Sequence, residues 1–196
     1  MATLPPQRPP QLEQLPTFYW TIAHYHDAIE RGALHSDHKL ELLFGQLVAR
    51  PPISPLRAAT RTALNRLFVR RFARKDAYVS PNGPLTLPYD CEPEPDLVIA
   101  RTEGHDDHHP YAEDTLLVIE VSDAELIDRD RGVMQLVYAR AGIEEYWIVN
   151  VYERRLERYT RPQPGQGSYL QREVFKESDR LMSLHLGEFD VADLFV

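Results

Sequence analysis

Two short apolar runs, each touched by an acid, constrain this chain more than any other feature. Asp96-Leu97-Val98-Ile99-Ala100 opens on a carboxylate, and Leu116-Leu117-Val118-Ile119-Glu120-Val121 carries one inside. Runs of this length, apolar without alternation and rich in branched residues, read as strands buried on both faces. A carboxylate in such a place costs several kcal/mol unless it neutralises, meets a cation or reaches water at a sheet edge. A third run, Glu145-Tyr146-Trp147-Ile148-Val149, follows a helical stretch over about 127–141 that stops at Gly142. Strand, helix, strand suggests a right-handed crossover. The fold class is therefore α/β, one mixed sheet with helices on its faces.

The rest of the chain fits around these runs. At 196 residues the expectation is one domain, spanning 17–196. Residues 1–16 hold Pro5, Pro6, Pro9, Pro10 and Pro16 and read as a poorly ordered tail, because each proline removes a backbone donor and nothing there repeats. Thr17 is a candidate cap for a helix ending at Gly32, and residues 39–50, with Gly45 at their middle, read as a hairpin. Asn82-Gly83 is a strong turn signal between short strands near 78–80 and 84–87. Strands are also expected near 155–160 and 169–175. No apolar run approaches the roughly 18 residues of a membrane span, and no secretory leader is visible at the start. A lone Cys91 fits a reducing cytoplasm, as a small buried residue.

Charge is unevenly placed. The net is -8, yet residues 57–75 carry Arg57, Arg61, Arg66, Arg70, Arg71, Arg74 and Lys75 with no acid among them. Leu64, Leu67, Phe68 and Phe72 recur there at helical spacing, while Arg66, Arg70 and Arg74 step by four along another side. Such a helix has a cationic stripe. Arg57, Arg61, Arg66, Arg70 and Arg74 are candidate contacts to a phosphate backbone, the alternative being a solvated face paired with acids elsewhere.

A divalent ion would compensate Asp96 and Glu120 together. Mg2+ takes oxygen ligands and keeps several waters, so two carboxylates and a backbone carbonyl are an adequate protein share. Glu41, in the first hairpin, is a third candidate, or else an outward-facing strand residue.

The order Leu40-Glu41-Leu42 with Gly45, then Pro93-Glu94-Pro95-Asp96-Leu97, then Val118-Ile119-Glu120-Val121-Ser122, then Tyr138-Ala139-Arg140-Ala141-Gly142-Ile143-Glu144-Glu145-Tyr146-Trp147-Ile148-Val149 resembles the Uma-type restriction endonuclease family. That family falls in the PD-(D/E)xK nuclease superfamily, and the resemblance covers about residues 17–196. It implies a restriction-endonuclease-like fold and Mg2+-dependent (or Mn2+-dependent) hydrolysis of DNA, with Asp96 and Glu120 as metal ligands and the carbonyl of Val121 as a third. Glu41 matches the acid supplied by an early helix or hairpin. Paired copies suit the cutting of two strands, so a homodimer is an expectation too.

Two positions depart from the family pattern. Its lysine, four residues before the tyrosine matched by Tyr138, is here Met134, which can neither orient a water nor neutralise charge on a reacting phosphate. Arg131, three residues earlier, is the candidate substitute cation at the site. Where the family often has a histidine after the Ser-Pro of a loop, this chain has Arg57. The alternative function is thus an inactive nuclease-fold protein that binds nucleic acid or a protein partner. The run His105-Asp106-Asp107-His108-His109 reads as a solvated loop rather than a metal site, since adjacent loop residues rarely converge on one ion.

Overall fold

The computed structural model describes residues 17–72, 77–101 and 108–196. The elements run α1 (Ile22–Glu30), β1 (Leu40–Leu43), β2 (Gln46–Ala49), α2 (Pro55–Phe72), β3 (Ala77–Pro81), β4 (Leu97–Arg101) and β5 (Thr115–Ser122). A helical stretch follows, made of α3 (Ile127–Arg129), a π-helical turn (Asp130–Met134) and α4 (Gln135–Ala141). Then come β6 (Glu145–Asn150), β7 (Arg155–Gln163), β8 (Ser168–Lys176), β9 (Arg180–Ser183), β10 (Gly187–Asp190) and a 3-10 turn (Val191–Leu194).

Six strands form the central sheet in the order β3-β4-β5-β6-β7-β8. Only β5 and β6 pair in parallel, joined by the helical stretch, and the other neighbours are antiparallel. The alternation of a strand assigns its residues to two cores. Ile99, Leu117, Ile119, Val121, Trp147 and Val149 face α2, where they pack with Leu64, Phe68, Phe72 and the C-terminal Leu181, Phe189 and Leu194. Val98, Ala100, Val118, Tyr146 and Ile148 face the other way, against Met134, Val137, Tyr138, Leu85, Leu87 and Cys91. Glu120 falls in this second register. Burial pushes the Cys91 thiol up to about 11, and its Sγ receives the Phe44 N–H at 3.1 Å.

Local chemistry explains three boundaries. The first helix is capped by Thr21, which accepts from the His24 N–H, and not by Thr17. The segment before it is drawn out because the Trp20 N–H donates to the Gly45 carbonyl at 2.8 Å. Phe44 and Gly45, both with positive φ, form the tight turn of the β1/β2 hairpin, and a Cβ on Gly45 would lie 3.0 Å from the Trp20 carbonyl oxygen. Asn82 does turn the chain, with φ 51, yet residues 84–87 do not fold back on β3. They make isolated bridges to Tyr111 and Cys91, while β3 takes β4 as its partner. The proline-rich residues 1–16, and Arg74, Lys75, His105, Asp106 and Asp107, lie outside the described residues. Among the described residues no helix is long and apolar enough to cross a membrane.

Candidate active site

Three sequence-distant acids meet in one small cavity. Glu41 enters from β1, whose hairpin is anchored by paired backbone hydrogen bonds between Leu42 and Glu92. Pro93 and Pro95 hold the residues before them extended, and so carry the chain straight to Asp96 at the mouth of β4. Glu120 arrives on β5, from the face that looks toward α4. All three line a cavity of about 40 Å³ together with Arg50, Arg57, Arg61, Glu94 and Arg129. That is room for one or two water-sized groups.

Each acid is held by donors. Asp96 Oδ2 accepts the Val121 N–H at 2.8 Å, and the Asp96 N–H donates to Glu120 Oε2 at 3.4 Å. The Tyr138 hydroxyl donates to Glu120 Oε1 at 2.7 Å. Glu41 accepts the Glu94 N–H at 3.1 Å and pairs with Arg129. Burial, then the charges of Asp130 and Asp96, drive the Glu120 carboxyl well above the usual carboxylate range, against the pull of Arg129 and the Tyr138 hydroxyl. Burial also pushes Asp130 up to about 6, opposed by a hydrogen bond from Ser122 and by Arg129. An acid pair this close in a low-dielectric site cannot ionise freely.

The arginines of α2 divide between two faces. Arg57 is buried: its Nε donates to the Val121 carbonyl at 2.6 Å and its Nη2 to Asp96 Oδ2 at 3.3 Å. Arg61, one turn on, donates to Asp96 Oδ1 at 3.4 Å. Arg66 and Arg70 are exposed on the far side, away from the buried stripe of Leu64 and Phe68. The expected row of phosphate contacts is therefore not one surface. Arg57 and Arg61 are spent on the acids, Arg66 and Arg70 face solvent, and Arg74 lies outside the described residues.

Arg131 departs from expectation as well. In an α-helix it would share a side with Met134, but this turn is π-helical, and residues three apart no longer stack. Its guanidinium leaves the cavity and grips Glu157 on β7, which also takes Arg172 at 3.0 Å and the Tyr159 hydroxyl at 2.8 Å. Burial alone would raise Glu157, but the bonds from Arg131, Tyr159 and Arg172 outweigh it and hold the carboxyl below its ordinary range. Arg129, two residues earlier, is the cation that reaches the acids, bonding Glu41 and, at 3.4 Å, Asp130. Sequence reasoning missed Arg129, Arg50, Tyr138 and Asp130. Met134 itself is fully buried among Val98, Val118 and Val137.

The residues as arranged do not fit a divalent ion. The Val121 carbonyl and Asp96 Oδ2, two of the three expected ligands, are both engaged by Arg57. Among the described residues no three His, Cys, Asp or Glu side chains converge closely enough to hold one ion. His108, from the histidine-rich run, is exposed and turns its Nδ1 toward the His109 carbonyl at 2.8 Å.

Comparison with known proteins agrees with this architecture. A search of curated proteins returns no match. Among solved structures, a crystal structure titled as a putative nuclease belonging to DUF820, from Anabaena variabilis, is similar with a TM-score of 0.66 and 15% sequence identity. The alignment covers 85% of this chain and 96% of that one, so the two share a fold. The family model described as "Putative restriction endonuclease" matches residues 22–192, from the first helix to the closing 3-10 turn, and the chain belongs to that family, Uma2.

Proposed function

We propose that this chain is a nuclease-fold protein directed at the phosphodiester backbone of DNA, with hydrolysis at the Glu41, Asp96 and Glu120 cavity that is slow. The observation that carries the reading is the meeting of three acids from β1, β4 and β5 in one cavity beside arginines, on a nuclease fold. In it the acids would orient an attacking water, and Arg61, a quarter exposed at the cavity rim, would meet a phosphoryl oxygen. The slowness follows from Met134, since the loss of one electrostatic donor at a reacting centre costs about 10^2 to 10^3 in rate. Met134 also favours a second reading, in which the chain binds DNA and does not cut it.

The test is supercoiled plasmid incubated at low salt with Mg2+ or Mn2+, comparing wild type, Glu120→Ala and Met134→Lys. Slow nicking that Glu120→Ala abolishes and Met134→Lys accelerates is the expected result. Linear product in place of nicks would speak for paired copies acting on both strands. Cleavage indifferent to Glu120→Ala would overturn the assignment of the cavity. Silence in all three, with duplex DNA still bound by fluorescence anisotropy, selects the second reading, and silence without binding removes both.

A further inference from the structure

We propose that Arg57 is the resident cation of this cavity: its guanidinium stands between Asp96 and the Val121 carbonyl, where a divalent ion would otherwise sit, and keeps such an ion out. Four carboxylates (Glu41, Glu94, Asp96, Glu120) and four guanidiniums (Arg50, Arg57, Arg61, Arg129) line the same small space, so the acids are already matched in number. Position then separates Arg57 from the other three. Arg50 and Arg129 pair with Glu41, and Arg61 reaches Asp96 from the rim. Arg57 alone bonds both a carboxylate oxygen and the backbone carbonyl of Val121, the mixed oxygen set that a hard divalent ion takes.

Burial makes the substitution durable. The Arg57 side chain is 8% exposed and that of Asp96 7%, so the pair is screened little by water or salt. To bind at Asp96, an ion would have to displace this guanidinium into a cavity of about 40 Å³ already lined by three others. A charge cast out of a buried pair without a new partner is costly. One nitrogen of the group, Nη1, is buried with no partner among the described residues.

This inference deepens the reading of the cavity as a slow DNA-directed site, and its test contains no DNA, so either can fail alone. Full-length wild type, Arg57→Ala, Arg57→His and Arg57→Ala/Asp96→Asn are titrated with Mn2+ by isothermal calorimetry, with thermal unfolding followed in parallel. Wild type is expected to give no saturable heat at millimolar Mn2+ and no shift in Tm. Arg57→Ala or Arg57→His should gain one saturable site and a Tm that rises with Mn2+, and Asp96→Asn in the Arg57→Ala background should remove both. A 1:1 site in wild type that Asp96→Asn abolishes would overturn the proposal. So would folded Arg57→Ala and Arg57→His proteins that still take no ion. Should neither variant fold, the wild-type titration against Asp96→Asn decides.

Discussion

Removing one hydroxyl tests the electrostatics of the cavity. Tyr138→Phe keeps the ring, its fully buried position and its 4.9 Å approach to Tyr146, and deletes only the donor to Glu120. Glu120 lies well above the ordinary carboxylate range, so the stability tied to its raised value is fully present below the ordinary pKa of about 4.5 and is lost as pH rises through the raised one. The Tyr138 hydroxyl is one of two influences pulling it down, with Arg129, so Tyr138→Phe raises it further. Where the carboxyl is protonated, a neutral hydrogen bond is lost, worth about 0.5–1.5 kcal/mol; where it is ionised, a charged one, worth about 1.5–3 kcal/mol. At about 2–4 °C per kcal/mol for a chain of this size, the Tm deficit should grow from about 1–6 °C where Glu120 is protonated to about 3–12 °C where it is ionised. Circular dichroism melts of both proteins from pH 5 to 9 measure it, with Tyr146→Phe as control, since the Tyr146 hydroxyl donates to the neutral Asp130 carbonyl at 3.2 Å. A deficit that stays flat or shrinks with pH, or a control that behaves alike, refutes the reasoning.

Other outcomes follow from the same geometry. Arg131→Ala should leave DNA binding and any cleavage at wild-type values, while Arg129→Ala should disturb both and lower Tm, because of the two it is Arg129 that touches Glu41 and Asp130, and Arg131 pairs with Glu157; anisotropy, nicking and melting compare them. Glu157→Gln should cost about 1–3 kcal/mol at pH 7, read by urea unfolding. Its folded pKa is depressed, so that stability is present above about 4.5 and disappears as pH falls through the lowered value, and the variant and wild type should converge in acid. Met134→Ala should cost about 2–5 kcal/mol for the cavity it leaves, and Met134→Leu under about 1.5 kcal/mol, since the side chain is fully buried in the α4-facing core.

The strands that build the sheet could be read from the chain because burial on both faces leaves a plain mark, an unbroken apolar run. Asp96 and Glu120 stood out for the same reason, as acids where hydrophobicity forbids them. Arg57 could not be placed in this way. Helical spacing puts Arg57 and Arg61 on the side that Leu64, Phe68 and Phe72 mark as buried, but residue type gives no sign that the acids waiting there are what admits two guanidiniums. Arg131 and Arg129 were exchanged because periodicity assumes 3.6 residues per turn, and a π-helical turn over Asp130–Met134 breaks that assumption without a signal in residue type. Asn82-Gly83 marks a turn but not the partner of β3, which is the more distant apolar run of β4.

The alternation of β5 carries a consequence for how the protein finds its native pairing. Ile119 and Val121 enter the core of Phe68 and Trp147, and Glu120 between them meets Tyr138 on the opposite face. A slip of one residue along the sheet would exchange these faces, stranding the carboxylate among the aromatic rings and two branched apolar chains beside the acids. The acid that makes the cavity thus also proofreads the sheet: misaligned pairings of β5 around Glu120 are penalised by the same charge the correct one satisfies.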